Sequence, residues 1–278
     1  MEKFKVVNTT SGIPSILFLE NGEIMHNPVG PWQESHQLYL GPMQFKAHLR
    51  YQFTNEVKDP LVVFDVGLGA GTNAIAAISA WETGERDLKI ISFEKDLDLL
   101  RFALDHRQEF SFLQGWKQAI QSILEKGAWQ SPEGHISWHL RLGDFNSCID
   151  TETHKAELIF FDPYSPKMNP EMWSVSCFEK LYRNARLTEP ACVLATYSRA
   201  TAVRSALLLA GFFVGPGGGV GEKEETTLAA TQRQALPEVL GERWLERLKK
   251  SHIPFPSQTP QADWPLLIRK LEAHPQFN

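Results

Sequence analysis

Four carboxylates stand at or beside the ends of four apolar runs: Asp65, Glu94, Asp144 and Asp162. An ionised carboxylate only accepts hydrogen bonds, so it selects hydroxyls, amines and cations, and beside a reacting amine it can take a proton. Acids at equivalent ends of successive parallel strands converge on one edge of a sheet, which is where open α/β sheets bind ligands. The spacing predicts one site built by several loops.

The first acid opens Asp65-Val66-Gly67-Leu68-Gly69-Ala70-Gly71. Glycines after a strand let the chain turn sharply and let a ligand approach the backbone near a helix N-terminus. A dinucleotide site reads G-x-G-x-x-G. Here the glycines follow G-x-G-x-G, and Thr72 holds the place of the third. That departure suits a ligand without pyrophosphate, S-adenosylmethionine (SAM), whose methionine ammonium Asp65 would orient directly or through water. The same turn also serves purely structural needs in many α/β proteins. Glu94, in Ser92-Phe93-Glu94-Lys95, is placed to accept from both ribose hydroxyls. Asp144, in Gly143-Asp144-Phe145, can accept from an adenine amino group or act as a helix N-cap.

These residues need a parallel sheet to hold them. Runs 61–66, 88–93, 136–142, 158–161 and 192–197 read as strands, the first apolar enough to be buried on both faces. Helices are expected over 73–81, 96–109 with Asp96 as N-cap, 116–126, 178–187 and 200–209, the last ending near Gly211. Strands at 212–214 and 226–230 close the series as an antiparallel hairpin. This alternation predicts an α/β, Rossmann-like fold with a seven-stranded, mostly parallel sheet. Upstream, residues 3–27 read as strands around the Asn21-Gly22 turn, and 32–53 as helical pieces interrupted at Gly41-Pro42. Downstream, 238–251 reads as a charged amphipathic helix and 254–260 as a proline-rich linker. The expected organisation is an N-terminal β-hairpin and helical extension (1–55), a core (56–232) and a C-terminal helical tail (233–278).

The most specific stretch is Phe160-Phe161-Asp162-Pro163-Tyr164-Ser165-Pro166-Lys167-Met168-Asn169-Pro170-Glu171-Met172-Trp173. It resembles the methyltransferase family typified by the MnmC N-terminal domain and stand-alone MnmD. Gly67 to Asn73, Ile91 to Lys95, Leu142 to Phe145 and the upstream Gln33-Glu34-Ser35-His36 are similar to that family too, so the resemblance spans roughly residues 15–230. It implies a class I SAM methyltransferase fold. It also implies N-methylation of the aminomethyl group of 5-aminomethyl-(2-thio)uridine at the tRNA wobble position. The tRNA anticodon loop would be the partner, and a separate oxidase or amine-forming chain would supply the amine.

On that reading Asp162 is the catalytic carboxylate. SAM lies against Asp65, Gly67, Gly69, Gly71, Asn73, Glu94, Lys95, Asp144 and Phe145. The substrate meets Glu34, Tyr164, Lys167, Asn169 and Trp173: Tyr164 and Trp173 stack on the uracil, Lys167 meets a phosphate and Asn169 shapes the loop. Core packing for Trp173 and a solvated position for Lys167 are equally open. Arg183, Arg186, Arg199, Arg204, Arg243, Arg247, Lys249 and Lys250 are candidate RNA contacts or solvated faces. The tail can cap the sheet, touch RNA or recruit a partner.

A polyamine aminopropyltransferase would share the sheet and the amine nucleophile. Its active-site loop reads more like D-x-[ST]-D-P, however, and only Asp162-Pro163 fits. A small-molecule amine methyltransferase suits the net charge of −5, which weighs against nucleic-acid binding but leaves room for a local basic patch. Cys148, Cys177 and Cys192 form no CxxC, and His135 and His139 would stand roughly 13 Å apart on a strand, so no metal is expected. No apolar run approaches a membrane span and the N-terminus lacks a signal-peptide core, so a cytoplasmic protein is expected.

Overall fold

The computed structural model describes residues 2–25, 28–51, 59–83, 85–219 and 225–278, so positions 26–27 and 52–53 of the expected segments lie outside the described residues. The chain opens with β1 (Phe4–Asn8) and β2 (Pro14–Phe18), then α1 (Pro31–Ser35), a π-helical turn at His36–Leu40, and α2 (Phe45–Leu49). The alternating part follows: β3 (Leu61–Val66), α3 (Thr72–Ala80), β4 (Leu88–Glu94), α4 (Asp98–Asp105), α5 (Lys117–Lys126), β5 (Ala128–Gln130) and β6 (Ile136–Leu142). Next come α6 (Phe145–Thr151), β7 (Leu158–Phe161), α7 (Val175–Arg183), β8 (Val193–Thr196), α8 (Thr201–Leu209), β9 (Phe213–Gly217) and β10 (Thr226–Ala230). Two helices end the chain, α9 (Glu242–Lys249) and α10 (Trp264–Glu272).

The main sheet runs β5-β6-β4-β3-β7-β8-β10-β9. β6, β4, β3, β7 and β8 are parallel, and β10 and β9 form the antiparallel end. The seven expected strands are present, and an eighth, β5, adds antiparallel to β6 at the edge. Burial on both faces follows from the apolar runs. Along β7, Leu158 and Phe160 enter the core under α1 to α5, while Ile159 and Phe161 enter the core on the other face. Strand order reverses at β3, whose neighbours are β4 and β7, so the crevice beyond the carboxyl ends of β3 and β7 is the natural binding position.

Several boundaries differ from the pattern, each for a local reason. The Asn21-Gly22 turn forms, with Gly22 at φ 74 and its N–H donating to Phe18 O, but the arm beyond it makes one bridge, Leu17 to Ile24. Regular pairing in this region is instead β1 with β2. Asp96 does not cap α4. Its carboxylate accepts from Asp98 N in a turn, and the helix begins at Asp98. α7 starts three residues early because Ser174 Oγ accepts from Cys177 N. Residues 238–241 are not helical, because Leu240 N donates to Val214 O on the edge of β9.

The tail caps the sheet. Trp244, Leu245, Leu248, Phe255 and Leu271 enter the core beneath α8. The buried Gln276 amide acts as a short piece of strand: it accepts from Val214 N at 2.6 Å and donates to Val214 O and Leu240 O at 2.9 Å. It satisfies a sheet edge that would otherwise be open for pairing. Arg204 is buried and donates to Thr227 Oγ1, Thr226 O and Glu225. Arg186 donates to Glu157, and Lys249 pairs with Glu246 and Glu272. These three cations are committed to the fold. No described helix is long and apolar enough to cross a membrane, and no group of three or more metal-ligating side chains occurs among the described residues.

Candidate functional site

A cleft of about 410 Å³ opens at the carboxyl edge of β3, β4, β6 and β7. Of the residues singled out from sequence it gathers Gly67, Gly69, Glu94, Lys95, Asp144, Phe145, Asp162, Tyr164, Asn169 and Glu34. Seven carboxylates line it, with Lys95 the one cation among the lining residues. Such a surface favours cationic reactants and disfavours a pyrophosphate.

The glycine loop and the loop after β7 touch. A Cβ on Gly67, which sits at φ +91, would stand 2.5 Å from Asp162 O. A Cβ on Gly69 (φ +55) would stand 2.6 Å from the Met25 methyl. Both positions favour glycine for conformation, and Gly67 also for space, because backbone stands against it. Gly71 does not line the cleft. It is the residue before α3, at φ 82, and packs under Leu100.

Glu94 closes the loop from the side: Oε2 accepts from Gly69 N at 3.0 Å and Oε1 from Lys95 N at 2.7 Å. Burial pushes its pKa up and those N–H donors oppose the rise. Asp144 both faces the cleft and caps α6, accepting from Ser147 N at 3.0 Å. Phe145 packs edge-on against Phe93 and forms part of the wall.

Asp65 does not reach the cleft. It is fully buried beneath it, where Oδ2 accepts from Ser92 Oγ at 2.6 Å and Ser92 Oγ accepts in turn from Trp138 Nε1. Its other oxygen has no hydrogen-bond partner. Burial, with Asp162 and Glu94 nearby, raises its carboxyl from 3.8 to about 7. Asp65 is not among the residues lining the cleft, so the direct form of the expected contact with a ligand ammonium is corrected, and the form through water is the one left.

Asp162 lies just beyond β7, partly exposed on the cleft. Its Oδ2 accepts from Asn73 Nδ2 at 2.9 Å, and Asn73 Oδ1 accepts from Ser35 Oγ at 2.5 Å. Asn73 is 7% exposed and off the cleft lining, so it supports Asp162 and does not form a ligand-binding wall. Tyr164 is 51% exposed at the mouth, edge-on to Phe18. Trp173 is 2% exposed, packs edge-on to Phe161 and Tyr197, and donates through Nε1 to Tyr164 O at 2.9 Å. Its faces are used by the core, so the expected base stacking by Trp173 is corrected; it shapes the loop that carries Asp162 and Tyr164. Lys167 is exposed and away from the cleft, and the Asn169 amide turns to the Glu171 carboxylate.

Sequence reasoning missed part of the wall. Phe18, Glu23, Ile24 and Met25 from the N-terminal hairpin close it on one side, and Tyr197 stands opposite, donating to Pro163 O at 3.1 Å. Tyr197 follows β8 directly, the same strand-end position as the acids, and that placement was a usable signal. Nothing local indicates where the hairpin docks.

Residues 108–232 match the family described as S-adenosyl-L-methionine-dependent methyltransferase. The bifunctional protein MnmC of tRNA 5-methylaminomethyl-2-thiouridine biosynthesis from Ralstonia nicotianae is 29% identical over 75% of this chain and 32% of its own length. The protein of the same name from Methylibium petroleiphilum is 30% identical over 78% of this chain and 33% of its own length. The chain thus spans about a third of the length of the curated relatives it matches. The crystal structure of MnmC2 from Aquifex aeolicus superposes with a TM-score of 0.70 at 24% identity, covering 98% of this chain and 85% of that one; it shares the fold.

Proposed function

We propose that this chain, a member of the SAM-dependent methyltransferase family matched over residues 108–232, transfers methyl to the aminomethyl group of a modified wobble uridine in tRNA. The observation that carries the reading is the acidic cleft, with a supported carboxylate, Asp162, beyond β7 and a ribose-type acid, Glu94, ending β4. SAM and a primary ammonium are both cationic where they react, and this lining attracts both.

The residues fit SAM. Gly67 and Gly69 line the cleft with backbone alone, Glu94 is available for ribose hydroxyls, and Asp144 and Phe145 form the wall for an adenine. SAM supplies a methyl on sulfonium sulfur, with the C–S electron pair leaving on sulfur. Asp162 receives the substrate ammonium, takes one proton so that the neutral nitrogen has the lone pair that forms the nitrogen–carbon bond, and aligns that nitrogen by hydrogen bonding. Glu34 adds a second carboxylate: burial raises the pKa of Tyr39 and of Tyr197, and the charges of Asp162 and Glu34 raise both further, so both flank the same phenols. The half-exposed Tyr164 ring offers a stacking face for a loop base, which needs less energy to extrude than a duplex base. An amine-forming centre outside these residues supplies the acceptor. A tRNA substrate carries with it a cytoplasmic location.

The same acidity favours a free polyamine as the rival acceptor. Labelled SAM is incubated with tRNA lacking this methylation and, in parallel, with a polyamine panel. Label in the wobble nucleoside supports the proposal; label only in small amines refutes it. Asp162→Asn should bind SAM within about twofold of wild type and lose on the order of 100-fold or more in kcat.

A further inference from the structure

Ser35, Tyr39 and Asn73 are far apart in sequence from Asp162, yet all three converge behind it. Asn73 donates to Asp162 Oδ2 from the first turn of α3. Which face of the Asn73 amide meets the carboxylate is decided by Ser35. Ser35 Oγ has one proton and two acceptors in range, Pro31 O at 3.1 Å and Asn73 Oδ1 at 2.5 Å. Two oxygens at the shorter distance repel unless the proton lies between them, so it lies toward Asn73. The amide oxygen is then committed, and the NH₂ must point to Asp162.

Tyr39 comes from the π-helical turn that follows α1. Such turns recur at functional sites because they displace one residue from the regular helical face. The Tyr39 ring rests on Phe160, two residues before Asp162, at 5.1 Å between centroids. The side chain is 1% exposed, and its hydroxyl, which meets no other partner, stands within reach of the Asp162 carboxylate. Burial and the neighbouring Asp162 push the phenol well above its ordinary pKa, so it stays protonated and remains a donor.

We propose that Asn73 and Tyr39 form a two-donor cradle that keeps Asp162 ionised and aimed at the acceptor amine, with Ser35 fixing the orientation of Asn73. The inference rests on Asp162 being the proton acceptor of the reaction. Donors to the charged form of a carboxylate favour that form, and both donors are buried off the cleft that Asp162 itself lines. Asn73, Tyr39 and Ser35 are positioning residues. The other titratable groups facing this position are Asp65 from β3, Glu34 from α1 and Tyr197 beyond β8.

The test titrates Asp162 itself by carbon-13 NMR of protein labelled at aspartate carboxyls, its signal assigned with Asp162→Asn. Tyr39→Phe and Asn73→Ala should each raise its apparent pKa by about one unit, the cost of a lost hydrogen bond to a charged group. Ser35→Ala should raise it less. SAM affinity within twofold of wild type certifies that each variant is folded, and the near-isosteric Tyr39→Phe keeps the test open if Asn73→Ala unfolds. With substrate, the acid limb of kcat/KM should move up with the titration while KM changes little. An Asp162 titration unmoved in folded variants overturns the cradle. A shifted titration in a protein that methylates no amine supports the cradle and removes the methyl-transfer reading instead.

Discussion

Asp65 is a buried carboxyl whose pKa rises from 3.8 to about 7, and this makes the stability of the fold depend on pH in a specific direction. The folded state holds the proton more tightly than the unfolded chain. The associated stabilisation is fully present below 3.8, falls as pH rises, and is gone once pH passes the folded value near 7. A shift of roughly three units corresponds to about 4 kcal/mol across that window. Asp65→Asn is close to isosteric, can still accept from Ser92 Oγ, and has no charge to lose. Other titrating groups are common to both proteins, so they cancel in the difference between them. The assay is urea unfolding of wild type and variant at pH 5, 6, 7 and 8. The variant should gain on the wild type by about 2 kcal/mol between pH 5 and pH 7, with the difference levelling off by about pH 8. Parallel curves across the series would refute the argument that Asp65 is held protonated by burial.

Three further outcomes follow from geometry. Gly67→Ala places a Cβ against Asp162 O at a left-handed backbone position, so SAM affinity measured by calorimetry should fall by on the order of tenfold or more. Glu94→Gln leaves one acceptor oxygen where two charged ones stand, and SAM should bind about tenfold or more weakly, with little change in melting temperature. Gln276→Ala orphans Val214 N on the β9 edge and removes two donors; chemical denaturation should show a loss of about 3 kcal/mol with SAM affinity unchanged.

What was legible in the chain is what depends on local pattern. Apolar runs marked β3, β4, β6, β7 and β8, and acids after or within them marked one sheet edge, where Glu94, Asp144 and Asp162 do share a cleft. Asp65 carried the same local signal yet lies under the floor, because it stands inside β3, one residue before the strand ends, where Ser92 of the neighbouring strand meets it. Trp173 looked equally able to pack or to stack, and its Nε1 bond to Tyr164 O settles it in the core. The short edge strand β5 has three residues and no alternation to read. The bonds joining Ser35, Asn73 and Asp162 span 38 and 89 positions, and the docking of the N-terminal hairpin on Gly69 is a packing event with no sequence period behind it.

A crystal structure of the protein with SAM bound tests the central claim most directly. The account requires the Asp162 carboxylate to face the transferable methyl across a gap that one amine nitrogen can bridge, with Glu94 on the ribose hydroxyls. A methyl pointing away from Asp162, or a SAM bound outside the cleft walled by Gly67, Glu94 and Phe145, would contradict it.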